Sequence, residues 1–269
     1  MFNLHRKKVG LALGSGGWRG GVHIGVIRVL EKYGIPIDYI AGTSAGSIVG
    51  GIYAYKKDIT LVETMFREVN MSVFAKSYMD ISMRGGLIKG NQFIKVIAEH
   101  TDNSNIEDTI IPFCAVATDL FSGEKVEMKE GNLAEALKTS STIPLIFKPT
   151  ITNGRYLVDG GLTSPIPVQT VKDMGADIVI AVDTLGGVFP IDTSDIKEVS
   201  SNKLVNISMR LLLESLSRRD KSQADIVIDP KIPGAEVGLL HSKKSQAITI
   251  QCGVDATEEL IHEIKRLID

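Results

Sequence analysis

Short apolar runs alternate with helix-periodic stretches along this chain, and the alternation predicts an α/β fold. Residues 9–13, 37–41, 112–119 and 178–182 read as strands, and the run 178–182 is apolar throughout. A strand with no polar alternation is one buried on both sheet faces, as in a parallel sheet. Between these runs, 22–33 carries apolar positions on a single helical face through Val22, Val26, Val29 and Leu30. Further helices are expected over 45–55, 91–100, 133–139, 204–216 and 248–268, with one starting at Pro165 and Pro167. Residues 121–128 read as a hairpin return that turns at Ser122-Gly123, and 156–158 and 224–228 as further strands. The passage 140–149, with Pro144 and Pro149, is expected to be irregular, and 185–201 to be a long surface connection. No repeat or linker interrupts the pattern, so a single domain over residues 1–269 accounts for it.

Two strand-to-helix junctions are rich in small residues. The second, Gly42-Thr43-Ser44-Ala45-Gly46, has the Gly-x-Ser-x-Gly spacing of a nucleophile elbow. Reversing sharply from strand to helix forces Ser44 into a strained backbone and pushes its hydroxyl outward, while Gly42 and Gly46 leave room across the turn. A serine there also faces the free amides and dipole of a helix start. By itself the motif fits an ordinary Gly-rich turn equally well. The first junction runs from Gly14 through Ser15, Gly16, Gly17, Trp18 and Arg19 to Gly20-Gly21. It is not a dinucleotide fingerprint, because Arg19 occupies the sixth position counted from Gly14, and no Walker lysine is present between 42 and 47. Its consecutive small residues suit a loop whose amides close around an oxyanion. Arg19 either steadies that loop and its charge or is a surface arginine at a helix start.

Composition changes this picture little. The 269 residues carry a formal net charge of −2 with 43% hydrophobic and 23% charged residues, so nothing draws the chain toward nucleic acid. Cys114 and Cys252 have no metal-ligand spacing around them and fit a reducing compartment. The basic start is followed by only five apolar residues, 9–13, too few for a signal core or a membrane span, and a cytoplasmic protein is expected. Residues 60–84 hold four of the eight methionines, Met65, Met71, Met79 and Met83, beside Phe66 and Phe74. Such flexible apolar side chains suit either a lipid-facing flap or plain core packing.

A serine needs a base to act as nucleophile. Of His5, His23, His100, His241 and His262, only the last two follow in the order of an α/β-hydrolase triad, and His262 lies among Glu258, Glu259 and Glu263. His241 is a loop candidate. Asp159 is the other: an aspartate at a strand end before Gly160 and Gly161, positioned to be approached closely. Burial would raise its pKa toward working pH.

Gly16-Gly17-Trp18-Arg19-Gly20, Gly42-Thr43-Ser44-Ala45-Gly46 and Asp159-Gly160-Gly161 together resemble, in kind, order and spacing, the patatin-like phospholipases of bacterial type. Residues 141–147 are similar to a fourth block of that family, with Thr142 and Ile143 bulkier than its usual small residues. The resemblance covers about residues 8–185. It implies a three-layer α/β/α sandwich with a mainly parallel central sheet, and a catalytic dyad of Ser44 and Asp159. It further implies an oxyanion hole from Gly14, Gly16, Gly17, Trp18 and Arg19, with Gly42, Gly46, Gly160 and Gly161 supporting elbow and dyad. The implied activity is hydrolysis of acyl esters in lipids, without metal or cofactor and with peripheral membrane contact. Residues beyond 185 would shape acyl-chain preference. Two other readings stand beside it: a carboxylesterase or thioesterase with a Ser–Asp–His triad through His241, and a non-catalytic lipid-binding regulator.

Overall fold

In the computed structural model, residues 6–68, 91–144, 146–186, 201–233 and 243–268 are described. The strands are β1 (Val9–Leu13), β2 (Tyr39–Thr43), β3 (Phe113–Asp119), β4 (Lys125–Met128), β5 (Thr150–Thr152), β6 (Arg155–Asp159), β7 (Ile178–Val182) and β8 (Ile226–Ile228). The helices are α1 (Gly21–Lys32), α2 (Ala45–Lys56), α3 (Ile59–Glu68), α4 (Asn91–His100), α5 (Leu133–Ser140), α6 (Val168–Asp173), α7 (Ser201–Lys221) and α8 (Lys243–Ile268). All eight strands form one sheet in the order β5-β6-β3-β2-β1-β7-β8, with β4 also on β3. β3, β2, β1, β7 and β8 are mutually parallel, and β4, β5 and β6 supply the antiparallel pairs.

The buried strands divide their side chains by size. Leu11, Leu13, Ile40, Phe113, Ile180 and Val182 point into the larger core, which α1, α2 and α8 cover. Ala12, Ala41, Cys114 and Ala181 point the other way, against α6. The period of two places large residues on one face and small ones on the other, so the short helix α6 can lie close to the sheet. The result is the expected three-layer sandwich. Each fully buried leucine or isoleucine in the larger layer contributes about 1.5–3 kcal/mol over exposure.

The register of β3 positions everything that follows. One edge of β3 pairs continuously with β4, from Ala115↔Met128 to Thr118↔Lys125. Its other edge is shared. β2 runs parallel along it and ends at Thr43↔Val116, while β6 runs antiparallel from the opposite direction and ends at Asp159↔Ala117. The C-terminal ends of β2 and β6 therefore meet head-on at neighbouring positions of one strand.

Several elements differ from the sequence reading. α7 and α8 begin earlier than expected, because their polar first turns lack an apolar period. β5 emerges where only an irregular passage is read, since three residues on a sheet edge leave no pattern. The small-residue loop after β1 is wound into a 3-10 turn, Gly17–Gly20. Most of the Met-rich segment, the connection 187–200 and His241 lie outside the described residues; Met65 is described, and it is core in α3. No helix among the described residues is long and apolar enough to cross a membrane.

α1 and α8 cross at Gly25 and Gly253. A Cβ on Gly25 would meet the Ile250 carbonyl, and one on Gly253 would meet the Val22 carbonyl, both rigid backbone. Gly253→Ala is expected to destabilise the fold by about 1–3 kcal/mol through overpacking. Chemical denaturation checks this, and an unchanged midpoint would mean that the helices separate freely.

Candidate active site

Ser44 caps α2 with φ 54° and ψ −120°, a backbone costing a non-glycine residue about 1–3 kcal/mol. Surrounding contacts hold it there. Its amide donates to Ser140 Oγ at 2.9 Å, and the Ser140 hydroxyl donates to the Val116 carbonyl at 2.6 Å. Its carbonyl accepts from the Ser47 hydroxyl and from the amides of Ser47 and Ile48. Gly46 packs against the Leu13 and Gly14 carbonyls, where any Cβ would collide, so the elbow can close only with glycine there. Gly42 meets Ser47 in the same way.

Asp159 arrives from β6 and is 7% exposed. Its Oδ1 accepts the Gly161 amide at 2.8 Å, and the Ser44 side chain lies against its carboxylate. Burial pushes its pKa up to about 6, partly offset by the Ser44 side chain and the Gly161 amide. The serine and the aspartate singled out in the sequence are thus brought together, with a base titrating near neutrality.

The glycine turn lies beside them. The Gly14 amide donates to Val182, the Ser15 amide to Pro165 and the Arg19 amide to Gly16. Three backbone donors are therefore spent inside the fold, and Gly14 and Arg19 leave the set expected to donate from the backbone to an oxyanion. The amides of Gly17 and Trp18 open the 3-10 turn, where no earlier carbonyl of the turn can reach them. Arg19 is not a surface residue: it is 4% exposed, with its guanidinium 5.6 Å from the Trp18 ring centroid. Burial and the neighbouring Arg210 push its pKa down to about 10, against the pull of Asp183, so it stays charged at neutral pH.

Two residues that sequence reasoning left aside support this arrangement. Ser140 ties the elbow to β3, as described. His23, wholly buried on α1, contacts the Gly14 carbonyl through Nε2 at 2.8 Å. A carbonyl only accepts, so Nε2 carries the hydrogen, and burial pushes the ring's pKa down to about 4. His23 is a neutral clamp on the turn. No local pattern marks either residue, because their partners lie far away in sequence or on the backbone. His262, by contrast, is exposed on α8.

A cavity of about 360 Å³ opens onto Ser44 and Asp159. Ile48 of α2, Met65 and Phe66 of α3, Phe147, and Met209 and Leu213 of α7 supply much of its wall. The wall is mostly apolar, with polar groups gathered at the serine end. No group of three His, Cys, Asp or Glu residues suited to a metal occurs among the described residues.

Fold and site together define an α/β protein with an elbow serine beside a buried carboxylate at the sheet's C-terminal edge. The chain belongs to the patatin-like phospholipase family, whose model matches residues 11–172. It is 36% identical over 188 residues to an NTE family protein of Mycobacterium tuberculosis, covering 66% of this chain and 49% of that protein. It is 33% identical over 180 residues to lysophospholipase NTE1 of Coccidioides immitis, covering 66% of this chain and 11% of that one. The match thus spans about half the length of the mycobacterial relative. Among solved structures, VipD from Legionella pneumophila superposes with a TM-score of 0.58 at 15% identity, over 96% of this chain and 67% of that one. ExoU, in the ExoU–SpcU complex from Pseudomonas aeruginosa, superposes with 0.52 at 14% identity, over 97% and 52%. These similarities show a shared fold.

The raised pKa of Asp159 has a consequence for stability. A carboxyl with a folded pKa near 6 and an unfolded value of 3.8 holds its proton more tightly when folded. That stabilisation is complete below pH 3.8 and is lost as pH rises through 6, leaving a buried anion that costs about 2–3 kcal/mol at neutral pH. Asp159→Asn is therefore expected to melt higher than the parent at pH 8, with the gap closing toward pH 5. Thermal denaturation at both values checks the sign; a lower melting temperature at pH 8 would contradict it.

Proposed function

We propose that the chain is a serine lipid acyl hydrolase of the phospholipase A or lysophospholipase type, with Ser44 as nucleophile and Asp159 as base. The observation that carries this reading is the juxtaposition of Ser44 and the buried Asp159 carboxylate at the end of a mostly apolar cavity. Asp159 takes the hydroxyl proton as Ser44 Oγ attacks the ester carbonyl carbon. The amides of Gly16, Gly17 and Trp18 receive the developing oxyanion, with the buried Arg19 charge nearby. The intermediate collapses, the ester C–O bond breaks, and Asp159 returns the proton to the departing alcohol. Water then attacks the acyl–serine ester with Asp159 again as base, and the fatty acid leaves.

As written, the cycle needs neither metal nor cofactor. The family match and the lysophospholipase name of one relative support a lipid ester as substrate. The same proposal takes residues 1–269 as one domain and the protein as cytoplasmic, consistent with its two free thiols, and as meeting its substrate at a membrane surface. We rank it above a triad because Ser44 and Asp159 lie directly together, while His241, the triad's candidate base, falls outside the described residues. It ranks above a non-catalytic role because serine, aspartate and glycine turn are all intact.

Ser44→Ala is expected to lower kcat/KM on a soluble acyl ester by at least about 10³-fold and to abolish fluorophosphonate labelling, with unchanged circular dichroism. Asp159→Asn is expected to cost about 10²–10⁴-fold. Labelling of a folded Ser44→Ala protein would remove Ser44 from the mechanism. Because the base must be ionised, kcat/KM is expected to rise about tenfold per pH unit up to about 6 and then level off. A pH profile flat from 4.5 to 8 would count against Asp159 as the base.

A further inference from the structure

The Ser15 hydroxyl is a buried polar group at the wall of the active-site cavity. Ser15 is 7% exposed, and its backbone is already held: the amide donates to Pro165, and the carbonyl accepts the Thr184 hydroxyl. Its Oγ has no hydrogen-bond partner among the described residues, although Ser15 lines the cavity that contains Ser44 and Asp159. Burying a hydroxyl without a partner costs stability, so one facing a cavity points to something that enters it.

Gly161 shows where this hydroxyl lies. A Cβ built on Gly161 would sit 3.1 Å from Asp159 Oδ1, 3.4 Å from Ser15 Oγ and 3.5 Å from Leu213 Cδ2. Gly161 is not in the left-handed region, so space rather than conformation explains the glycine. These distances are contacts, so the three groups crowd around Gly161; all four residues line the cavity, whose notch there has the base on one side, the hydroxyl on the other and Leu213 as an apolar wall.

We propose that this notch holds the water that hydrolyses the acyl–Ser44 intermediate, with Asp159 and Ser15 as its two anchors. The inference rests on the hydrolase reading above. Water donates one hydrogen toward Asp159 and the other to Ser15 Oγ, which fixes the direction of its lone pair. A nucleophile held at two points has lost the rotations that one anchor leaves free. In the step itself the water oxygen bonds to the acyl carbon and its proton passes to Asp159. The bond from the acyl carbon to Ser44 Oγ then breaks, Ser44 takes the proton back, and the fatty acid departs. Ser15 gains and loses nothing; it positions the water.

The test separates formation of the acyl-enzyme from its breakdown. Wild type and Ser15→Ala are pulsed with a p-nitrophenyl acyl ester and desalted rapidly, and the acyl adduct on Ser44 is followed by intact mass. The expected result is a p-nitrophenol release rate within about twofold of wild type, with adduct decay slower by about five- to tenfold, the worth of one neutral hydrogen bond. Ser15→Thr, which keeps the hydroxyl, should restore the decay. Ser15→Cys preserves the volume and removes the strong acceptor, and gives the same comparison should the alanine protein misfold. Equal decay in Ser15→Ala and wild type, or equal slowing of both steps, would overturn the role of Ser15 alone. Absence of any adduct on wild-type Ser44 would bring down the hydrolase reading and this inference with it.

Discussion

Two strand ends meeting on one edge of β3 are the constraint on which the site depends. β2 delivers Thr43 opposite Val116 and β6 delivers Asp159 opposite Ala117, from opposite directions. The chain must reverse immediately beyond each end, into α2 after Ser44 and into a 3-10 turn after Asp159. Serine and carboxylate are thereby fixed by sheet register rather than by loop conformation. Because side chains alternate along a strand, a one-residue slip of β6 would send the carboxylate to the opposite face. The Ser140 hydroxyl reinforces the junction, joining the Ser44 amide to the carbonyl of Val116.

That junction lies deep in the molecule, and its depth sets the electrostatics. Desolvation acts on every titratable group nearby in the direction of the neutral form. It lifts Asp159 to about 6, lowers His23 to about 4 and brings Arg19 down to about 10. At neutral pH the first is a carboxylate of useful basicity, the second an uncharged clamp on Gly14, and the third still a cation. One physical cause thus yields a base, a positioning group and a fixed positive charge, separated by their different starting values. The same desolvation makes the ionised Asp159 a liability for folding, which the strand register, the Gly161 amide and the Ser44 side chain offset.

What the sequence revealed follows from the range of the interactions involved. The elbow and the Asp-Gly-Gly stretch are local as patterns: their glycines fall at fixed spacing around Ser44 and directly after Asp159, and the strand–turn–helix context is contiguous, so Ser44 and Asp159 stood out. The apolar runs likewise predicted the buried strands, because a strand covered on both faces has no polar alternation. Ser140 and His23 were invisible, since each acts through a backbone group across the fold. The role of Arg19 stayed open until burial resolved it. The spending of the Gly14 and Arg19 amides inside the fold could not be read either, because an amide's partner is a tertiary fact. Short edge strands such as β5, and the polar first turns of α7 and α8, lack periodicity altogether.

Chemistry and pocket are carried by different parts of the fold. The reactive pair sits at the ends of β2 and β6, where register and burial leave little freedom. The cavity walls come instead from α3, from α7 and from the passage around Phe147, elements that contribute little to the sheet. Phe66 and Met209 can therefore change in size with less effect on the strand ends that align Ser44 with Asp159. Methionine and leucine are suited to that duty, being flexible enough to refill a cavity whose shape changes. Leu213 touches both, because it borders the notch at Gly161 as well as the apolar wall. A change there would reach the reacting atoms, whereas a change at Met65 would be felt first by the far end of whatever fills the cavity.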